Sequence, residues 1–305
     1  VMSRAATLAA LLPIVVVYAF FGAPIGSLMD NSVVIQLGER KADYGRIRLW
    51  GSVGWGFSAF VMGPILQRAG LEWAFYGYLA IMAVVFVYSF YVPIAGGERT
   101  ASFRAGLRVL VGDSRFVVLL LMALVYGVSL AMLLNYLFLH MSAMGASKSL
   151  MAWTIVLATV SEVPFLFLSG RIINRYGINR IIAVAFLLMV VRAFIYAFMA
   201  APWWVLPANL LLGGPTFALF WAGGVAEANR LAPPGLGATA QGALGSIMFG
   251  LGSAAGNFLG GIVFDRYGGA ALMQSVGWVL AVTLAIFVVV RMRPRPAAPV
   301  VAEER

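Results

Sequence analysis

The sequence has 305 residues, of which 62% are hydrophobic and only 10% are charged. Soluble domains carry about 25% charged residues, so this composition predicts an integral membrane protein. The chain has no cysteine and a single histidine, His140, which excludes disulfides, thiol catalysis and zinc-thiolate sites and argues against a histidine-based metal site. The net charge of +10 comes from short basic connections between apolar spans, a pattern typical of membrane topology rather than of nucleic-acid binding.

Nine apolar segments are long enough, at about 20 residues each, to cross a bilayer as helices. They are 6–37, 45–67, 71–93, 115–140, 149–171, 181–200, 203–226, 236–263 and 271–291. Transmembrane β-strands are shorter, about ten residues, and alternate in polarity, so these uniformly apolar segments predict an all-α integral membrane fold. The first segment contains Pro13 and Pro24 and is expected to be kinked.

Basic residues orient the chain because Lys and Arg concentrate on the cytoplasmic side. Sixteen lie on the side of the odd-numbered connections and the C-terminal tail: Arg40, Lys41, Arg46, Arg48, Arg99, Arg104, Arg108, Arg115, Arg171, Arg175, Arg180, Arg230, Arg291, Arg293, Arg295 and Arg305. The opposite side has four, Arg4, Arg68, Lys148 and Arg266. The C-terminus is therefore predicted to be cytoplasmic. Nine spans then place the N-terminus outside, and we expect an odd number of upstream helices to be missing.

The start of the chain has an alternative interpretation as a signal peptide, with Arg4 as its basic region. The apolar run is too long for that, and no small-residue cleavage site precedes an obvious mature domain. We therefore favour the interpretation that helices are missing upstream.

An internal repeat indicates two related halves. "GPILQRAG" (63–70) and "GGIVFDRYGG" (260–269) both end a glycine-rich span on the outer side, and both precede another span. Their matching Gly and Arg positions keep one constant offset along the chain. Repeats in the same orientation predict halves related by an axis along the membrane normal. The polar connection 94–114 would join them.

A second glycine-containing connection, "GRIINRYGINR" (170–180), lies on the predicted cytoplasmic side. Gly170, Asn174, Arg175 and Gly177 are its candidate gating or orientation residues. Glycine permits a tight turn between helices, and arginines near a helix C-terminus can bond its last carbonyls.

Four charged residues stand out because they lie inside predicted spans rather than at their edges: Asp30, Arg48, Glu162 and Arg192. A charge within lipid costs at least about 2.5–3.5 kcal/mol on insertion scales, so each needs a partner or a water-filled cavity. Glu162 and Arg192 lie near the membrane centre on consecutive helices, and we expect them to form an ion pair. For Arg48 the alternative is snorkelling to the interface, and for the Glu162–Arg192 pair it is a purely structural role.

Polar and aromatic groups share these helix faces. Ser52 and Trp55 follow Arg48 at i+4 and i+7, so the three side chains project from one face. Asn135 lies on the fourth span and is a further candidate substrate contact, although single polar residues in membrane helices more often link helices together.

No catalytic constellation is present. The sequence has no H-E-x-x-H, no G-x-S-x-G and no G-x-x-x-x-G-K-[ST] motif, so it predicts neither an enzyme nor direct ATP hydrolysis. Charge pairs near the midplane at the junction of repeats are typical of secondary transporters.

Three stretches carry a family resemblance. "YGRIRLWGSVGWGFSAFVMG", "SEVPFLFLSGRIINRYGINRIIAVAFLLMVVRAF" and "RLAPPGLGATAQGALGSIMFGLGSAAGNFLGGIVFDRYGG" resemble the lactose permease and phenylpropionate permease-like (MFS_1-like) branch of the major facilitator superfamily. The resemblance implies that the nine spans are helices 4–12 of a twelve-helix fold. The implied domains are a partial N-terminal half (1–93), a cytoplasmic linker (94–114), a six-helix C-terminal half (115–292) and a cytoplasmic tail (293–305).

The resemblance also implies roles for individual residues. Asp30, Arg48 and Trp55 fall on substrate-binding positions of the family, and Glu162 and Arg192 fall on helices eight and nine, where Arg192 is implied in proton coupling. The ionisable pair that the permease carries on helix ten is absent from "LLGGPTFALFWAG". Lactose itself is therefore not expected, and proton coupling would have to rest on Glu162 or Asp30.

We therefore predict a secondary active transporter, a proton-coupled symporter of a small polar or carboxylated solute, sugar-like or an aromatic acid, in the bacterial inner membrane. Glu162 would carry the proton, and Asp30, Arg48, Ser52, Trp55 and Asn135 would contact the solute. We expect no cofactor besides the proton gradient, and as partners only the solute and membrane lipids, with no nucleic acid and no obligatory protein. The alternatives are an inactive truncated transporter and, less favoured, a membrane-embedded enzyme or assembly protein.

Overall fold

The structure is a computed structural model that describes residues 28–30, 32–70, 72–91 and 103–291, with the isolated positions 14, 22, 25 and 26. Within these residues every regular element is helical and no strand occurs. The predicted all-α fold is confirmed for this part of the chain. Pro13, Pro24, most of the first predicted span, linker residues 94–102 and the tail 293–305 lie outside the described residues.

The first part of the chain supplies two long helices. A helical stretch ending at residue 37 leads through a 3-10 turn, Gly38–Asp43, into α1 (Tyr44–Ala69), and α2 (Trp73–Ser89) follows. α1 and α2 coincide with the predicted spans 45–67 and 71–93. α1 packs against a helix of the second part of the chain, whereas α2 contains no buried residue. A site between the two parts of the chain can therefore be formed only by the face of α1 that packs against the second part.

The linker contains a helix that the sequence analysis did not predict. Residues 94–114 were expected to be a polar connection, but Phe103–Gly112 form α3. The helix is amphipathic, with Leu110 buried and Arg108 exposed. Its buried face packs against the start of a later helix, close to Leu236. An apolar stripe at helical spacing explains why this short segment folds against the bundle.

The second part of the chain supplies the six predicted helices. They are α4 (Ser114–Ala143), α5 (Lys148–Tyr176), α6 (Ile178–Phe198), α7 (Pro202–Leu231), and α8 (237–267) and α9 (269–290), which divide the run Gly237–Val290 at Gly268. Five helical runs among the described residues are long and apolar enough to cross a membrane, and the last of them contains both α8 and α9.

Local chemistry explains where α4 and α5 begin. The side chain of Asp113 accepts a hydrogen bond of 2.7 Å from the backbone N–H of Arg115, and Ser147 accepts one of 3.2 Å from Leu150. Each side chain satisfies one of the N–H groups that have no partner in the first turn of a helix.

The internal repeat corresponds to a repeated turn. Gly70 after α1 has φ 95° and Gly268 between α8 and α9 has φ 80°. A non-glycine residue in this left-handed region costs about 1–2 kcal/mol. The two copies of the motif thus share a positive φ at their last matching glycine as well as a sequence.

The core of the second part is an aromatic cluster. Tyr126 of α4 stacks on Phe220 of α7 with ring centroids 3.9 Å apart, and Phe186 of α6 meets both rings edge-on. All three side chains are fully buried. Aromatic pairs contribute about 0.5–1.5 kcal/mol beyond the area that they bury. The cluster holds α4, α6 and α7 together as a rigid wall.

Candidate functional site

A cavity of about 520 Å³ lies between α1 and the helices of the second part of the chain. Its walls are mainly apolar, with a few polar and charged groups from α1, α5, α6 and α7. The lining residues are Arg48, Gly51, Ser52, Trp55, Leu130, Leu134, Leu137, Phe138, Thr154, Ile155, Ala158, Thr159, Glu162, Arg192, Asn209, Gly213, Phe217 and Phe249. A concave apolar site with few convergent polar groups is the usual form of a small-molecule site.

The first wall of the cavity is the face of α1 that carries Arg48, Ser52 and Trp55. All three side chains line the cavity, as their spacing predicted. Arg48 Nε lies 4.0 Å from Asp30 Oδ1, so the structure brings together the two residues that the resemblance had paired. Trp55 is 71% exposed, which leaves its ring face available to a solute. Their roles in substrate binding stay predictions.

Glu162 on α5 faces α1. Ser52 Oγ donates a hydrogen bond of 2.6 Å to Glu162 Oε1, which joins the two parts of the chain across the cavity. The prediction that Glu162 and Arg192 form an ion pair is wrong, because no ion pair within 4.0 Å links them among the described residues. The two helices are consecutive, but Glu162 points towards α1 whereas Arg192 points towards α7.

Arg192 on α6 is 3% exposed and has neutral partners. Its Nε donates to Tyr196 Oη over 2.7 Å, and its Nη2 donates to Asn209 Oδ1 over 2.8 Å. Tyr196 Oη also donates to Asn209 Oδ1 over 2.7 Å. No role was predicted for Tyr196, although this residue follows Arg192 at i+4 on the same helix face. Asn209 comes from another helix, and no sequence signal placed it here.

A π-turn in α7, Asn209–Gly213, brings Asn209 to this position. Pro215, two residues later, has no N–H to bond the preceding turn. Ser161 of α5 compensates, because its Oγ accepts from Gly214 N over 2.8 Å and lies 3.1 Å from the Asn209 carbonyl. π-turns occur frequently at functional sites, and here one ties the partner of Arg192 to the residue beside Glu162.

A smaller pocket of about 230 Å³ lies at the end of the bundle that carries the basic connections. Tyr44 and Gly45 of α1 line it, with Gly170 and Asn174 of α5. Between this pocket and the main cavity, Trp221 Nε1 donates to Tyr44 Oη over 2.9 Å. Both of these aromatic side chains are buried. The contact joins α1 to α7 on the basic side of the main cavity.

The remaining predicted residues lie elsewhere. Arg175 stands over the ring of Tyr176, and Gly177 has φ 81° at the turn between α5 and α6. Asn135 does not line the cavity, since its Nδ2 donates to Asn257 Oδ1 over 2.6 Å and links α4 to α8. The structure therefore groups Arg48, Ser52, Trp55, Glu162 and Arg192 in one cavity. Asn135 lies outside its lining, and so does Asp30, which lies next to Arg48.

Removal of the Tyr44–Trp221 hydrogen bond should weaken the contact between α1 and α7 and make the basic end of the bundle more accessible to reagents. Trp221→Phe keeps the aromatic contacts with Phe217 and Phe249 but loses a bond worth about 1 kcal/mol, or roughly a fivefold change in an equilibrium. Ser169 is buried close to Gly45, and the chain has no native cysteine. Alkylation of a single cysteine introduced by Ser169→Cys should therefore become roughly fivefold faster.

Tyr44→Phe removes the same hydrogen bond and also the one between Tyr44 and Asp30, so labelling should become at least as fast as in Trp221→Phe. Unchanged labelling in both variants would show that this bond does not hold the basic end closed.

Comparison with known proteins agrees with this architecture. The family model described as "MFS_1 like family" matches residues 1–275. The transporter YwbF of Bacillus subtilis is 27% identical over 251 residues, which are 81% of this chain and 62% of that protein. Major facilitator superfamily domain-containing protein 6-like protein A of Xenopus laevis is 24% identical over 94% of this chain and 49% of its own length. The maltose permease of Geobacillus stearothermophilus is 26% identical over 87% of this chain and 68% of its own length.

These matches cover most of the chain but only about half to two thirds of the length of the relatives. They confirm the predicted membership of the major facilitator superfamily and the prediction that the chain is not an enzyme. With a family model that matches residues 1–275 and a helical bundle of the expected helix order, the chain belongs to the MFS_1-like family.

Proposed function

We propose that the protein is a secondary active transporter that moves a small polar or carboxylated solute together with a proton, by alternating access. The solute binds in the cavity between α1 and the second part of the chain. Arg48, Asp30, Ser52 and Trp55 contact it, and Glu162 carries the proton. Family membership and the relatives named as transporters support transport, and the geometry of Glu162 supports proton coupling.

The observation that carries this proposal is the Ser52–Glu162 hydrogen bond of 2.6 Å. An ionised carboxylate only accepts hydrogen bonds, and a hydrogen bond to an ionised acceptor is roughly twice as strong as a neutral one. Protonation of Glu162 therefore weakens a contact between the two parts of the chain. A proton that binds one arrangement of the halves better than the other shifts the equilibrium between them.

The solute and the proton share one cavity. Ser52 lies one helical turn after Arg48 on α1 and also bonds Glu162. A solute that engages Arg48 and Trp55 contacts the same face of α1, so its arrival and the protonation of Glu162 act on the same contact between halves. This shared contact is the physical basis that we propose for coupling.

Glu162→Gln tests the proposal. Glutamine keeps the length of the side chain and an oxygen that accepts from Ser52, but it cannot carry a proton. In proteoliposomes that contain a pH-sensitive dye, a panel of benzoate, maltose and uridine is added outside. We expect at least one of these solutes to drive proton influx through the wild-type protein and none to do so through Glu162→Gln, while exchange of the same solute continues.

Glu72→Gln is the matched control, since Glu72 is exposed just before α2 and lies outside the cavity. It should behave as wild type. Proton influx that persists in Glu162→Gln at the wild-type rate would exclude Glu162 as the proton carrier.

We further infer that the basic end of the bundle faces the cytoplasm, as the distribution of Lys and Arg predicts, and that the proton gradient is the only cofactor. Relatives come from bacteria and from animals, so the bacterial inner membrane stays a prediction. Alkylation of the Ser169→Cys variant from one side of the membrane at a time reports which side the basic end faces.

A further inference from the structure

Arg192 is a buried cation without a counter-ion among the described residues. Its side chain is 3% exposed, and its two hydrogen-bond acceptors, Tyr196 Oη and Asn209 Oδ1, are neutral. No carboxylate lies within 4.0 Å of it among the described residues. A charge at the centre of a bilayer is energetically unfavourable, so a functional reason for this arrangement is expected.

The acidic residues near the cavity have other partners. Asp30 faces Arg48, and Glu162 accepts from Ser52. Glu227, near the basic end of α7, accepts a bidentate pair of hydrogen bonds from Arg230, and both N–O distances are 2.8 Å. None of these carboxylates lies within 4.0 Å of Arg192, so the described residues supply no ion-pair partner for its guanidinium.

The guanidinium of Arg192 borders the 520 Å³ cavity. Nη1 has no hydrogen-bond partner among the described residues. It is absent from their fully enclosed unpartnered atoms, so it retains some accessible surface. Tyr196 and Asn209 hold Nε and Nη2, so the orientation of the planar group is fixed before any solute arrives. A fixed guanidinium with a free donor at an apolar cavity suits the carboxylate of a small molecule.

We propose that Arg192 binds the carboxylate of the transported solute, so that the solute is a monoanionic organic acid with an apolar body. The proposal rests on the proposed function and narrows its substrate class. When Glu162 is protonated, Arg48 is balanced by Asp30, and one positive charge is left over at Arg192. A single carboxylate neutralises it, and one proton and one carboxylate cross together. A phosphate monoester, with nearly two negative charges at neutral pH, would leave an excess negative charge.

The wall residues fit the apolar body of such a solute. Leu130, Leu134 and Leu137 of α4 and Phe217 of α7 line the space next to the polar groups. The carboxylate end meets Arg192, and the body packs against these side chains.

Asn209→Asp is the decisive variant. Aspartate has nearly the same shape as asparagine and places a carboxylate oxygen at the position where Arg192 Nη2 and Tyr196 Oη donate. It supplies from within the protein the charge that we assign to the solute. We expect this variant to be at least as stable as wild type and to lose carboxylate binding, whereas an Arg192 with a merely structural role would leave binding unchanged.

Binding is measured on the purified protein in lipid nanodiscs, from the thermal stabilisation that benzoate or benzamide produces across a concentration series. Both probes have the same ring, and only benzoate is charged. We expect benzoate to stabilise the wild type and benzamide not to. Arg192→Lys should weaken the benzoate effect at least about tenfold, because lysine keeps the charge but loses the planar fork. Arg180→Gln, which removes an exposed charge from the same helix, should match the wild type.

Two results would overturn the proposal: benzoate that stabilises the wild type no better than benzamide, or undiminished benzoate binding by Asn209→Asp. The measurement uses no proton gradient, so it fails independently of proton coupling. Loss of proton influx in Glu162→Gln together with equal binding of both probes would support symport and reject the anion site. Proton influx that persists in Glu162→Gln, together with stronger binding of benzoate than of benzamide, would support the anion site and reject Glu162 as the proton carrier.

Discussion

Gly214→Ala is expected to destabilise the protein strongly. A Cβ at this position would collide with the backbone of Ser161 and Glu162 on α5, where nothing can move aside without displacing the helix. Overpacking typically costs about 1–3 kcal/mol, and the upper end is expected here because the clash is with backbone atoms. It would also separate Gly214 N from Ser161 Oγ, now 2.8 Å apart. Thermal unfolding in detergent, followed by circular dichroism, should show a midpoint lowered by several degrees.

Gly242→Ala is the matched control. Gly242 is also helical, but a Cβ there has no neighbour within 4 Å, so this variant should gain about 0.5–1 kcal/mol from the better helix propensity of alanine. Equal midpoints for the two variants would mean that α5 and α7 do not approach each other as closely as described. Because Glu162 lies at this contact, the result also bears on the position of the proposed proton carrier.

Asn209→Leu is expected to have the second large effect. The Asn209 side-chain oxygen is the acceptor for both Arg192 Nη2 and Tyr196 Oη. Leucine would leave a buried charged donor without a partner, and such a loss costs about 3 kcal/mol. We expect lower thermal stability together with loss of benzoate binding, because Arg192 would no longer be held in place.

Asn135→Leu provides the comparison. Asn135 also makes an amide hydrogen bond between helices, at 2.6 Å to Asn257, but it is exposed and carries no charged partner. Its loss should cost at most about 1 kcal/mol. If Asn209→Leu proved no more harmful than Asn135→Leu, Arg192 would not depend on Asn209 as the structure indicates.

Much of the fold was predictable because it rests on local properties of the chain. Apolar runs of membrane length located the helices, and the predicted edges agree with the structure to within a few residues at α1, α4 and α5. The repeat motif anticipated equivalent turns, which Gly70 and Gly268 share. Helix α3 was missed because its polar residues dominated the interpretation, although Leu107 and Leu110 lie at helical spacing.

The site was predictable only where one helix determines it. Arg48, Ser52 and Trp55 lie on one face of α1 by helical periodicity, and the cavity contains all three. The Glu162–Arg192 pair failed because adjacency of two helices in the chain does not fix the rotation of either about its axis. Asn209 was not predicted as the partner of Arg192, since its position depends on a π-turn that Ser161 of another helix stabilises.

Contacts between the two parts of the chain are expected to control access to the cavity. Ser52–Glu162 lies beside the cavity, and Tyr44–Trp221 lies on its basic side. Only the first contains a carboxyl group, that of Glu162, which we propose as the proton carrier. In the proposed mechanism the proton acts at the cavity, and the aromatic hydrogen bond breaks and forms as the halves rearrange.

Solute protection of a single cysteine tests the central claim, that the solute binds in this cavity. The chain has no native cysteine, so Thr159→Cys places one reactive thiol in the cavity wall, and Ser142→Cys places another at an exposed position at the end of α4. Whichever solute drives proton influx should slow alkylation of the Thr159→Cys variant and leave that of the Ser142→Cys variant unchanged. Equal alkylation rates of the Thr159→Cys variant with and without that solute would show that the solute does not bind in this cavity.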